Sequence, residues 1–129
     1  MAMTDDELED RLSLPTDGVR AALAGLDGDV LVLGAGGKMG PTLARMARRA
    51  LPPGREVLAV SRYSSPAARA GLERHGVRAI PCDLLDPAAI GRLPDAANVI
   101  FMAGHKFGTS DAPGLTWMSN AVLPAFVAA

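Results

Sequence analysis

Glycines at positions 34, 37 and 40, one every three residues, follow directly on the apolar run Val30-Leu31-Val32-Leu33. Residues of this type do no covalent chemistry; they expose a backbone that can bind anions. Gly34 allows a tight turn out of the apolar run. Gly37 lets the main chain approach a pyrophosphate with no side chain between, and Gly40 lets the following helix pack close on the sheet. The amides that open that helix point at the anion, with the positive end of the helix dipole behind them. The candidate diphosphate-binding set is therefore Gly34, Gly36, Gly37, Lys38, Met39 and Gly40. The alternative is a glycine-rich turn in an α/β protein that holds no ligand.

Such a turn works only between a strand and a helix, and the flanking pattern supplies both. The apolar run reads as a parallel strand buried on both faces. Pro41 falls in the first helical turn, where a missing N–H costs nothing. Leu43, Met46, Ala47 and Ala50 form the expected buried stripe, with Arg45, Arg48 and Arg49 facing water. Pro52-Pro53-Gly54 stops the helix. Further strands are expected over 56–60, 78–82 and 98–102, with helices over 66–75 and from 87 through Leu93, and a last helix from Leu115 onward. In that last helix Trp117, Val122 and Phe126 are available for burial, and Pro124 limits the regular stretch. Two short helices, 4–12 and 16–26, precede the first strand. Thr4 and Glu7 have capping-box spacing in the first, and Val19, Ala22, Leu23 and Leu26 share a face of the second. Alternating strands and helices argue for a parallel sheet with crossover helices. The expected fold is an α/β Rossmann-type doubly wound parallel sheet, three-layer αβα, with a helical lead-in over 1–27 and a dinucleotide-binding domain over 28–129. Strand one is expected at the centre, strands two and three to one side and strand four to the other. A ligand would lie over the carboxyl ends, at the switch between strands one and four.

Composition narrows the class. The chain has 129 residues, enough for one core, and 49% of them are hydrophobic while only 4% are aromatic, so aliphatic and alanine packing must dominate. A formal net charge of -1 gives no reason to expect nucleic acid or an anionic membrane as partner. The single cysteine, Cys82, excludes an internal disulfide, fits a reducing, cytoplasmic compartment, and has no metal partners nearby in sequence. The acidic start is no secretory signal, and no apolar run reaches membrane-spanning length.

The register of the glycines carries a resemblance. The common dinucleotide fingerprint fails, because Met39 stands where its third glycine belongs; Gly34, Gly37 and Gly40 instead resemble the short-chain dehydrogenase/reductase superfamily, above all its extended branch, the NAD-dependent epimerase/dehydratase family. The resemblance runs from Asp29 onward and implies roles at further points. Asp83 would reach the adenine amino group and Leu84 would cover the ring. Ala103 and Gly104 would leave room for the adenosine ribose and pyrophosphate, and Asn120 would sit behind the cofactor. His105 and Lys106 would fall near a nicotinamide ring, as a proton carrier, a substrate contact or simply a polar loop. Each position also has a plain structural reading: Asp83 capping the next turn, Leu84 in the core, Ala103-Gly104 as a strand-to-loop turn.

An NAD enzyme usually carries an acidic residue at the end of its second strand, where it binds the ribose hydroxyls. Here Ser61 and Arg62 stand there, with no carboxylate to repel a phosphate and a guanidinium to pair with one. This favours NADP over NAD; the alternative is a solvated Arg62 that at most stacks on adenine. The family's catalytic Ser or Thr and its Tyr/Lys pair come later in the chain. The one tyrosine, Tyr63, has Ala67 four residues on, so the catalytic residues are unknown here and would lie beyond residue 129. The chain thus reads as the amino-terminal part of a longer protein.

Two functions share the glycine turn. One is an oxidoreductase of the epimerase/dehydratase type, transferring hydride on a small-molecule substrate such as a nucleotide sugar; the other is a non-catalytic NAD(P)-binding redox sensor. A homodimer through helices, the last one included, is what the resemblance implies, with no nucleic-acid or membrane partner.

Overall fold

The computed structural model describes residues 2–104 and 110–129. Strand β1 (Val30–Leu33) is buried at every position, as its unbroken apolar sequence requires. Strands β2 (Val57–Ser61), β3 (Arg78–Pro81) and β4 (Asn98–Phe101) join it in a parallel sheet of order β3-β2-β1-β4. Val30 is in register with Val57 on one side and with Asn98 on the other. The expected strand order is the observed one.

Alternate side chains of the central strands feed two separate layers. Val30, Val32, Val57 and Ala59 pack under helix α3 (Gly40–Ala50) and helix α4 (Pro66–Arg74), through Ala44, Ala47 and Leu72. Leu31, Leu33, Leu58 and Val60 pack on the opposite face against Leu84 and Leu123, with Ile90 of the short helix α5 (Pro87–Ile90) at the margin. Alanines on α3 bring that helix close to the sheet, which is how a core with so few aromatics stays dense.

The lead-in consists of helices α1 (Asp5–Leu12) and α2 (Asp17–Ala24). The capping box of α1 forms as expected: the Glu7 amide donates to Thr4 Oγ1 and the Thr4 amide to Glu7 Oε2. Thr16 caps α2 more simply, its Oγ1 accepting the Val19 amide. On α2 only Val19 and Leu23 are partly buried; Ala22 and Leu26, expected on the same face, are exposed. No residue within α1 is buried. It is held instead by polar groups of α3. Thr42 Oγ1 donates to Glu9 Oε2 at 2.6 Å, and Arg49 Nη1 donates to the Asp10 carbonyl at 2.8 Å and to Ser13 Oγ at 2.9 Å. Arg45 and Arg49 both pair with the Asp10 carboxylate. The arginine face of α3, expected to be solvated, is thus the seat of the lead-in, which a helical pattern alone does not reveal.

The carboxyl end also departs from expectation. Helix α6 (Pro113–Trp117) and helix α7 (Leu123–Ala128) are joined by one wide turn of π-helix, Met118–Val122, where the Leu123 amide donates to the Met118 carbonyl. Pro124 follows at once; lacking an N–H, it cannot continue the tighter ladder, and the widened turn accommodates it. The buried stripe is Ser119 and Leu123, with Val127 packed at the core margin. Trp117 is 69% exposed and Phe126 53%, so neither is the core residue expected of it. Among the described residues no helix is long and apolar enough to cross a membrane.

Candidate functional site

The carboxyl ends of the four strands open into one cleft of about 730 Å³. The turn after β1 contributes Gly34, Gly36 and Gly37. The segment after β2 contributes Ser61, Arg62 and the following residues to Ser65, and the segment after β3 contributes Asp83, Leu84 and Leu85. Met102, Ala103 and Gly104 come from the exit of β4, and Leu115, Ser119 and Leu123 from the last helical stretch. Most of the residues singled out in the sequence therefore converge at the end of the sheet where the topology places a ligand.

The glycines divide by what a side chain would meet. Gly34 has φ +84°, and a Cβ there would lie 2.4 Å from the Ala103 amide nitrogen. A Cβ at Gly36 would lie 2.2 Å from Ser61 Oγ, and one at Gly40 would lie 2.5 Å from the Ala35 carbonyl oxygen. Gly34 and Gly40 meet backbone and are required by the protein's own packing; at Gly36 the Ser61 hydroxyl would have to turn away. Gly40 relieves contact with the turn itself rather than with the sheet, a correction to its expected role. Gly37 differs: the nearest atom to a Cβ would be the Gly34 carbonyl oxygen at 3.8 Å, an ordinary contact. The space beside Gly37 is open cleft. Helix α3 begins there, and its N-cap, Met39, makes no side-chain capping bond, so the first amides of α3 have neither an intrahelical acceptor nor a side-chain cap.

Lys38, Met39, Gly40 and Asn120 do not line the cleft. Lys38 is exposed, Met39 is 69% exposed at the helix start, and Gly40 is buried. The last helical stretch turns Ser119, not Asn120, into the cleft, because Ser119 shares the buried stripe of Leu123. Asn120 is exposed, with Oδ1 3.1 Å from where a Gly104 Cβ would stand. His105 and Lys106 lie outside the described residues.

Among the described residues, Arg62 and Asp83 are the charged groups of the lining. Arg62 is exposed and makes no hydrogen bond or ion pair with any described residue. Asp83 takes both of its expected structural parts at once with a place in the cleft wall: Oδ1 accepts the Leu85 amide at 3.0 Å, and the adjoining Leu84 is buried in the core. Sequence reasoning missed Tyr63 as a contributor. Its backbone is left-handed, φ 49°, and its hydroxyl donates to the Ala59 carbonyl at 2.7 Å. Its amide faces Ser61 Oγ at 3.4 Å. Burial pushes the phenol up to about 12, so it remains a donor throughout the neutral range. The one sequence signal for this role was its position directly after Arg62.

Two outcomes follow from this geometry. Gly34→Ala should lower stability by about 2–4 kcal/mol, combining left-handed strain with a backbone clash, whereas Gly37→Ala should stay within about 1 kcal/mol; urea denaturation of both variants separates them. The raised phenol of Tyr63 contributes stability that is whole below pH 10, where the unfolded tyrosine ionises, and is lost as pH rises toward 12. Melting temperatures across that window should fall more steeply for the native chain than for Tyr63→Phe.

Comparison with known proteins agrees with the fold. A family model described as the NAD dependent epimerase/dehydratase family matches residues 30–128. No curated protein matches the chain. Among solved structures, the fold matches that of a Pseudomonas aeruginosa RhlG/NADP active-site complex with a TM-score of 0.61 at 17% identity, over 81% of this chain and 45% of that one. An A1-type ketoreductase matches at 29% identity over 63% of this chain and 20% of its own, with a TM-score of 0.44. An A-type ketoreductase from a modular polyketide synthase matches at 31% identity over 56% and 17%, with a TM-score of 0.39. The chain spans less than half the length of each of these structures. With the matched segment running from the first residue of β1 to the last of α7, the chain belongs to the NAD dependent epimerase/dehydratase family.

Proposed function

We propose that this chain is the nicotinamide-dinucleotide-binding part of an epimerase/dehydratase-type oxidoreductase, with NADP preferred over NAD. Its substrate would be a small hydroxyl-bearing molecule of the nucleotide-sugar kind. The observation that carries this reading is the opening beside Gly37: the packing of the protein leaves room there for a side chain that the sequence does not supply, at the uncapped start of α3. A diphosphate would sit beside Gly37, its oxygens accepting from backbone amides of the turn and helix start, with no Cβ in the way.

The remaining roles follow from the lining. Asp83 keeps one carboxylate oxygen beyond the one that caps Leu85, and it would accept from an adenine amino group with Leu84 and Leu85 beside the ring. Ala103 and Gly104, small and next to the Gly34 turn, would let a ribose cross the edge between β1 and β4. Arg62 would pair with a phosphate on the adenosine ribose. The bound nicotinamide would supply a hydride acceptor and donor, while the chain described here binds and orients it. The family assignment supports the enzyme over a sensor; a homodimer and a cytoplasmic setting belong to the same proposal.

Fluorescence titration of the protein with NADPH and NADH tests the reading. Both should bind, NADPH more tightly, and absence of binding by either would overturn it. Gly37→Val should abolish binding of both while the far-ultraviolet circular dichroism and the melting temperature stay near those of the native chain. Arg62→Ala should weaken NADPH about tenfold or more, the loss of a charge-assisted contact, and leave NADH nearly unchanged; equal losses would refute the preference for NADP.

A further inference from the structure

The segment leaving β2 is held more firmly than an exposed loop of serines and an arginine requires. Tyr63 adopts a left-handed backbone, the one non-glycine residue to do so among those described. A bulky side chain takes that conformation only where its surroundings over-determine it. Three contacts do so. The ring packs at the margin of the core layer built on Val57 and Ala59. The hydroxyl donates back to the Ala59 carbonyl, within the strand the loop has just left. The amide meets Ser61 Oγ, and Ser61 is itself seated against Gly36, where a Cβ would lie 2.2 Å from that oxygen. The loop is therefore tied to β2 through the phenol and to the glycine turn through Ser61. On either side of Tyr63 the chain presents Arg62, Ser64 and Ser65 to the cleft.

We propose that Tyr63 is the positioning residue for cofactor selection: by pinning this loop it holds Arg62 ready for a phosphomonoester on the adenosine ribose. This rests on the nicotinamide reading above and adds a residue to it. Arg62 is exposed and has no partner among the described residues, so its own side chain is not preorganised by any protein contact. What limits its ordering cost on binding is the rigidity of its backbone. Removing the phenol releases that backbone. The cost falls on the ligand that uses Arg62, and the ligand lacking the extra phosphate is spared.

The test is calorimetric titration of the full chain with NADPH and with NADH. Tyr63→Phe keeps the ring and removes only the hydroxyl. It should raise the Kd for NADPH about fivefold or more and leave that for NADH within about twofold. In an Arg62→Ala background the same substitution should leave the ratio of the two Kd values where Arg62→Ala alone puts it, because Tyr63 acts through Arg62. Tyr63→Asn, a residue that tolerates left-handed backbone, removes the phenol by another route and should lower the same selectivity, so a poorly folding Phe variant does not spare the proposal. An unchanged ratio in both variants, or a ratio that still shifts without Arg62, overturns the role of Tyr63. Failure of the native chain to bind either dinucleotide would instead overturn the reading on which it rests.

Discussion

The close approach of bare backbone at the carboxyl end of β1 is the constraint on which the rest of the structure depends. At Gly34 the chain turns left-handed against the exit of β4, with no room for even one methyl group. That contact brings the ends of β1 and β4 side by side, and the cleft begins where they part. Ser61 fits the hollow left by Gly36, so β2 is drawn to the same level. Gly40 then lets α3 start immediately above the turn instead of a residue or two later. A side chain at Gly34 would push the ends of β1 and β4 apart, and one at Gly40 would move the amides of α3 away from the turn.

Against that background, the emptiness at Gly37 has a different meaning from the tightness at its neighbours. Glycine lowers stability relative to alanine wherever its freedom is not used, and here the fold makes no use of it. Ligand access is a use that the fold does not record. The separate parts of Gly34 and Gly37 were legible in the pattern of strand, glycines and helix; that a Cβ at Gly40 would meet Ala35 of the same turn was not, since it depends on how the turn folds back on itself.

The sheet was legible because its signals are local and strong. A continuous apolar run such as Val30–Leu33 must be buried on both faces, and short crossovers leave few orders for four parallel strands. The ends of strands gave the cleft for the same reason, since Ser61, Arg62, Asp83, Leu84, Ala103 and Gly104 are simply the residues at which strands stop. What was not legible depends on partners distant in sequence. Arg45 and Arg49 look like solvent-facing residues until Asp10 is brought against them. The last helix misled because a π turn before Pro124 shifts the angular relation of residues on its two sides, so that Ser119 and Leu123 are buried and Trp117 and Phe126 are not. Tyr63 had no periodicity to betray it; its importance lies in a bond to a carbonyl four residues earlier and in a backbone angle.

The attachment of α1 carries a consequence of its own. Because it buries no residue within the helix and its ion pairs to α3 run through the Asp10 carboxylate, part of its hold is exposed to counterions in a way that the aliphatic layers are not. The amino-terminal helix and the sheet therefore answer to different solution variables. Raising ionic strength loosens the first without touching the second, so amide protons of α1 exchange on a clock set by the buffer, while those of β1 keep the clock of global unfolding.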